Sequence, residues 1–248
     1  MGSSGKASAG SGNLKAPISE VFSSYQGEGI FVGQPQVFIR FCGCNLRCGY
    51  CDTPENQHLH EHQKYFSLSH ILELARESMA KRSPSSLPLA ISLTGGEPLL
   101  YPGFLSALLP QIKKMKLATY LETNGTLPEA YAKVAKWVDV VAMDIKPPSA
   151  SGTDLWKDQA KFLKLAGKKA FVKMVVTSST KTEEVVKAVN LVKAVSPGIP
   201  FVLQPVSVGR GAASAQPWQL YEWLTLARKK LQQVHVIPQM HKLLWKVR

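Results

Sequence analysis

The chain has four cysteines, Cys42, Cys44, Cys48 and Cys51, and all fall within ten residues. A disulfide framework spreads its cysteines to join distant segments, whereas clustered thiols point to metal or redox chemistry. Cys44, Cys48 and Cys51 form C-x3-C-x2-C, with Cys42 two residues ahead. A structural zinc site normally closes its tetrahedron from two separated C-x2-C-like pairs. Here one short loop carries every thiol. Three thiolates on one loop can wrap a corner of a 4Fe–4S cube and leave its fourth iron open to a substrate, whereas four-cysteine clusters serve electron transfer. Spacing alone keeps zinc as the alternative. His58, His60 and His62 alternate in a stretch rich in Glu and Gln. They read as a solvated segment rather than a metal site.

The elements that must position this loop follow from hydrophobic pattern. Short apolar runs at 36–41, 89–93, 118–121, 138–143, 171–176, 201–203 and 234–237 suit strands buried on both faces. Helical patterns lie between them. Ser67 can cap a helix carrying Ile71, Leu74, Ala75 and Met79 on one side. Val185, Val189, Val192 and Val195 mark another, and 217–231 opens with Pro217 and ends basic. Further candidates are 103–115, 127–137 and 154–165. Strands separated by single helices imply right-handed βαβ units and a parallel sheet. About six units are too few for an eight-fold barrel. The expected class is α/β, a partial, open (β/α)6 TIM-like barrel spanning 16–248 as one domain, with a doubly wound sheet as the alternative.

In both architectures function gathers at the C-terminal ends of the strands. The cysteine loop follows the run at 36–41. Thr94-Gly95-Gly96-Glu97-Pro98, Glu122-Thr123-Asn124-Gly125, Asp144-Ile145-Lys146-Pro147, Gln204-Pro205-Val206-Ser207 and Gln239-Met240-His241-Lys242 each follow another. Six polar or Gly/Pro-rich ends on one face predict an active site.

The cysteine spacing, with Tyr50-Cys51-Asp52-Thr53 and a Gly-Gly-Glu-Pro turn some 45 residues on, resembles the radical S-adenosylmethionine superfamily. Within it the chain resembles the 7-carboxy-7-deazaguanine synthase family of queuosine and 7-deazapurine biosynthesis over about residues 16–248. The residues that carry this are Phe22-Ser23-Ser24-Tyr25-Gln26-Gly27-Glu28-Gly29, Arg40, Gly43-Cys44-Asn45-Leu46-Arg47-Cys48 and Pro238-Gln239-Met240-His241-Lys242. The resemblance implies a radical SAM lyase that turns 6-carboxy-5,6,7,8-tetrahydropterin into 7-carboxy-7-deazaguanine with loss of ammonia. An adenosyl radical, not a side chain, would be the reactive group. Cys44, Cys48 and Cys51 would hold the 4Fe–4S cluster, and Thr53 would bind Mg2+. Tyr25, Gln26, Gly27, Glu28, Arg40, Thr94, His241 and Arg248 would contact the pterin. Tyr50, Asp52, Gly96, Glu97, Asn124, Asp144, Lys146, Gln204, Pro205, Val206 and Ser207 would surround S-adenosylmethionine. It further implies a homodimer and an external electron donor such as flavodoxin or ferredoxin.

Elementary chemistry fits these roles. A pterin amidine edge donates hydrogen bonds and Glu28 is an acceptor for it. A substrate carboxylate wants a fixed cation, and Arg40 lies on the run leading into the site, although an Arg there could instead pair at the surface. Cys42 stands outside the three-ligand motif and reads as a buried supporting thiol. The ending Trp245-Lys246-Val247-Arg248 leaves open whether a terminal carboxylate reaches substrate.

Composition narrows the field. At 248 residues and 45% hydrophobic the chain can bury a full core without staples, and no apolar run approaches the ~18–20 residues of a membrane span. Residues 1–13 are Gly/Ser-rich with no apolar core, so 1–15 reads as a flexible tail or expression scar rather than a secretion signal. A cytoplasmic enzyme is expected. The net charge of +13 raises a nucleic-acid partner. The first hundred residues balance at eight of each sign, however, and the later lysines recur at helical spacing as solvated faces. Two rivals share some features. A glycyl-radical-enzyme activase has the cysteine spacing but not the Gln26–Gly29 segment or the Gln-x-His-Lys ending. A basic, metal-clustered nucleic-acid module would need aromatics interleaved with its basic residues, and none are.

Overall fold

The computed structural model describes residues 14–80, 90–207 and 212–244. In chain order the elements are β1 (Lys15–Tyr25), β2 (Pro35–Phe41), β3 (Tyr65–Ser67), α1 (Leu68–Ala80), β4 (Ala90–Gly95), α2 (Pro102–Lys114) and β5 (Ala118–Thr123). There follow α3 (Pro128–Val134), β6 (Val140–Ile145), α4 (Pro148–Ser151), α5 (Trp156–Ala166), β7 (Ala170–Val176) and α6 (Thr182–Val195). The last are β8 (Phe201–Pro205), α7 (Pro217–Arg228), β9 (Val234–Val236) and α8 (Met240–Leu244). One sheet holds all nine strands in the order β3-β1-β2-β4-β5-β6-β7-β8-β9. From β2 to β9 neighbouring strands run parallel, with six crossovers. The sheet does not close among the described residues. The expected open (β/α)6 architecture is observed.

Alternation along each strand builds two different faces. Ile39, Leu93, Leu121, Met143, Met174 and Leu203 point one way and pack with Ile71, Leu105, Phe162, Val189 and Trp223 from the helices. The inner face starts with an apolar layer of Ala90, Tyr120, Ala142, Phe171 and Val202. Phe31 covers it, edge-on to Tyr120 at 5.7 Å and 5.9 Å from Phe171. Beyond this layer the inner residues turn polar: Arg40, Thr94, Glu122, Asp144, Lys173 and Gln204.

The structure corrects several expectations. β1 and β3 were not anticipated. β1 is antiparallel to β2 and half-exposed, so its pattern is not an apolar run. β6 begins two residues later than its apolar run, because Asp139 turns aside to accept from the Thr119 N–H at 2.8 Å. α7 stops at Arg228. Thr94, Glu122, Asp144 and Gln204 lie on the last strand turns rather than after them. They therefore point inward by alternation, on the rigid part of the fold. The start of the run at 89 and the 1–13 segment fall outside the described residues.

Candidate active site at the strand ends

The cysteine loop leaves β2 and is tied down along its length. Gly43 N–H donates to Asn56 O (2.8 Å), Cys44 N–H to Gln57 O (3.1 Å) and Gly49 N–H to Ala150 O (3.2 Å). Cys42 belongs to this scaffold. It is buried, its N–H donates to Pro17 O, and its sulfur faces Asn56 Oδ1 at 3.5 Å. Cys44, Cys48 and Cys51 are only partly buried. Among the described residues, the one trio of His, Cys, Asp or Glu whose ligand atoms lie within 4.8 Å of one another is Glu28, Asp52 and His241. The three thiols do not form such a trio, and their place on one loop suits a cluster with a larger span than one zinc.

The Gly-Gly-Glu-Pro turn packs directly against that loop. A Cβ on Gly96 would stand 2.0 Å from the Gly43 carbonyl oxygen, so only glycine allows the approach. Glu97 N–H donates to that same oxygen at 2.8 Å. The Glu97 carboxyl is wholly buried and accepts from Leu99 N–H, Thr123 Oγ1 and Asn124 N–H. Burial pushes it up to about 7 against the pull of these donors. Its oxygens are thus spent inside the protein. Glu97 locks the β4 and β5 ends together through these donors.

On one side of the inner face several buried polar atoms lack partners. Asp144 Oδ1, both amide atoms of Gln204 and the Tyr50 hydroxyl are buried without a hydrogen bond. Such atoms are costly unless a ligand satisfies them. Lys146 donates to Asp144 Oδ2 at 2.8 Å and lies 5.0 Å over the Tyr50 ring. Burial works against its charge, but Asp144, Tyr50 and Cys48 together hold Lys146 well above the ordinary lysine range. Tyr50 and Val206 pack with Val175, and Cys48 lies against them. Asn124 Nδ2 is 4.0 Å from Cys44 Sγ and 2.9 Å from Asn45 Oδ1. Pro205 ends β8, and Ser207 N–H donates to Gln239 Oε1 at 3.1 Å. The unspent donors and acceptors beside the thiols fit a zwitterionic, ribose-bearing ligand such as S-adenosylmethionine.

The other side is built on the segment after β1. Gln26 is buried, and its amide donates to Gln36 Oε1 and to Glu122 Oε1 at 3.0 Å, while Thr94 Oγ1 donates to Glu122 Oε2 at 2.7 Å. Glu28 accepts from Gln239 Nε2 at 2.9 Å and is in contact with the Lys173 ammonium. Burial would raise the Glu28 carboxyl, but the charge and hydrogen bond of Lys173, together with His241, keep the group below the usual range. Gly27 leaves room for His241, whose Nδ1 would stand 2.5 Å from a Cβ there. His241 Nε2 and Lys242 Nζ approach Asp52 Oδ2 at 3.7 and 3.9 Å. With Lys173 on Glu28 and Lys242 near Asp52, the Glu28–Asp52–His241 trio is already neutralised by side chains.

Two expected contacts meet other partners in the structure, and a third lies outside the described residues. Tyr25 alternates with Gln26 and lies 40% exposed, on the face carrying Val21 rather than the site face. Arg40 points inward but is engaged: Nε donates to Glu20 Oε1 at 2.7 Å, and the guanidinium lies 5.4 Å over Phe22. Arg248 falls outside the described residues. The sequence reading missed Lys173 and left Gln36, Glu122, Gln239 and Lys242 without roles. For Lys173 the signal was available, as a lone charge inside an apolar run.

Residues 38–200 match the Radical SAM superfamily. The chain is 39% identical over 241 residues to the 7-carboxy-7-deazaguanine synthase of Geobacter sulfurreducens, covering 92% of this chain and 96% of that protein. It is 36% identical over 252 residues to the synthase of Methanothermobacter thermautotrophicus, covering 93% and 98%. Among solved structures, QueE from Escherichia coli is similar with a TM-score of 0.63 at 20% identity, over 93% of this chain and 96% of that one. A radical SAM methyltransferase from Sphaerobacter thermophilus gives 0.64 at 12% identity, over 90% and 77%. At these identities the structural likeness speaks for the fold.

Proposed function

The chain belongs to the radical SAM superfamily and, within it, to the 7-carboxy-7-deazaguanine synthase family, and on that premise we propose that it converts 6-carboxy-5,6,7,8-tetrahydropterin to 7-carboxy-7-deazaguanine with loss of ammonia. The observation that carries this reading is the juxtaposition on one inner face. On the loop of three partly buried thiols, Cys48 packs with Tyr50 beside buried, unpartnered atoms of Asp144, Gln204 and Tyr50, and the Gln26–Glu28 segment is held by Gln239 and Lys173.

A 4Fe–4S cluster on Cys44, Cys48 and Cys51, with S-adenosylmethionine on its open iron, would supply the carbon-centred radical. Asp144, Lys146 and Gln204 would bind and orient the cofactor. Gly96 would let backbone approach it, and Asn124 would sit beside the Cys44 end of the loop. Glu28 would accept the N–H edge of the pterin, held ionised by Lys173. Gln26 would keep the backbone of this segment in register, since its Oε1 accepts from Glu28 N–H at 3.1 Å. The apolar layer under Phe31 would close the pocket floor against water.

Thr53 would help to hold Mg2+, a hard cation that takes oxygen ligands. It heads the 54–56 turn yet makes no capping hydrogen bond, so its hydroxyl is unspent there. Thr53→Val is expected to lower turnover chiefly at limiting Mg2+, with excess metal restoring part of it. Titrating activity against Mg2+ checks this, and indifference to a chelator in wild type and variant alike would remove the metal.

The same reading makes residues 16–248 one catalytic unit that works in the cytoplasm on a small molecule, as a homodimer. Flavodoxin or ferredoxin would supply its electrons, with no nucleic acid or membrane as partner. No described helix is long and apolar enough to cross a membrane. The decisive experiment is the product profile of anaerobically reconstituted protein with S-adenosylmethionine, reductant and the carboxy-tetrahydropterin. The deazaguanine acid and ammonia are expected in equal amounts. Cofactor cleavage with the pterin returned unchanged would overturn the reading.

A further inference from the structure

β7 reads AFVKMVV and all seven residues are buried. A lysine is costly at such a position unless its charge is paired. Lys173 is paired twice. Its ammonium contacts Glu28 and lies 3.3 Å from Asp144 Oδ2. Asp144 is its register neighbour on β6, so the second pair is fixed by strand geometry. Each carboxylate has another partner on its far side, Gln239 for Glu28 and Lys146 for Asp144. The Glu28 side adjoins Asp52 and His241, and the Asp144 side adjoins Lys146 and Tyr50. One ammonium therefore stands at the seam between the two halves of the site.

We propose that Lys173 is the positioning residue shared by both halves: it orients Glu28 toward the pterin and Asp144 toward S-adenosylmethionine. The pterin half of this inference rests on the function proposed above, and the cofactor half rests only on superfamily membership. Without Lys173, Glu28 and Asp144 would share the inner face with Glu122 and lose their common cation. Both would then turn toward their remaining partners, and each ligand would meet a displaced carboxylate.

The test is a pair of double-mutant cycles on cluster-loaded protein, read by equilibrium binding rather than turnover. Lys173→Met keeps the stem and removes the charge. It should weaken the carboxy-tetrahydropterin on the order of 10–100-fold, but by less than about threefold when Glu28→Gln is already present. It should likewise weaken S-adenosylmethionine alone, but not in the Asp144→Asn background. A merely structural lysine would cost affinity equally in every background, and that result overturns the proposal. Wild-type affinities in Lys173→Met would overturn it as well. Should Lys173→Met fail to hold its cluster, Lys173→Gln is read in the same cycles. If the wild type binds cofactor but no pterin, the proposed function fails, and the Asp144 cycle still decides the role of Lys173.

Discussion

Cys44→Ala, Cys48→Ala and Cys51→Ala are each expected to abolish the intact iron–sulfur cluster and all turnover, while Cys42→Ala keeps both. Reconstituted wild type should carry about four iron and four sulfide per chain. The three proposed ligands share one loop, so losing any one would leave two thiolates to hold the cube and expose a second iron to solvent. Cys42 differs by geometry rather than distance along the chain. Its sulfur is directed at Asn56 and its backbone is hydrogen-bonded to Pro17, which places it in the wall behind the loop. Iron and sulfide analysis with electron paramagnetic resonance of the reduced protein checks all four variants. Stoichiometric zinc in place of iron, or cluster loss in Cys42→Ala alone, would show that the ligand set is wrong.

What the sequence could reveal depended on burial on both faces. Six of the seven parallel strands were legible because helices cover one side and the filled interior covers the other, leaving short apolar runs, whereas the edge strand β9 showed only through its β-branched residues around an exposed His235. β1 escaped because only part of it is covered, and its Glu20, Ser23 and Ser24 break any apolar period. β3 is three residues long and carries no pattern. The site residues divide in the same way. Cysteine spacing and the Gly-Gly-Glu-Pro turn are local, so they could be read from the chain. Glu97 was read as a ligand contact because a carboxylate in such a turn is conspicuous, yet its fate depends on Thr123 and Asn124 in the next strand end. The Glu28–Lys173 contact joins residues 145 positions apart, and no local pattern announces it. Glu20 opposite Arg40 is likewise a product of antiparallel register between β1 and β2.

Register also ranks the two proposed substrate contacts. Glu28→Gln should weaken the carboxy-tetrahydropterin far more than Arg40→Gln does. Glu28 is ionised, mostly buried and engaged by Lys173 and Gln239. Replacing it leaves the buried Lys173 ammonium with Asp144 as its one remaining carboxylate partner and removes the proposed acceptor for the pterin N–H edge. Losing one partner of such a contact costs on the order of 2–5 kcal/mol, about 30-fold to several-thousand-fold in affinity. Arg40 keeps Glu20 as a partner, and their side chains are 21% and 53% exposed, so solvent screens whatever it offers a substrate carboxylate. About tenfold is expected there. Both variants should retain the cluster and still cleave S-adenosylmethionine slowly under strong reductant without substrate, because neither side chain belongs to the cysteine loop. Binding titrations on reconstituted protein, with cofactor cleavage as the control, separate the outcomes. A loss at Arg40 exceeding that at Glu28 would mean that Arg40 leaves Glu20 for the substrate and that the pterin is anchored at the rim. Wild-type binding in both would remove the pterin from this face of the sheet.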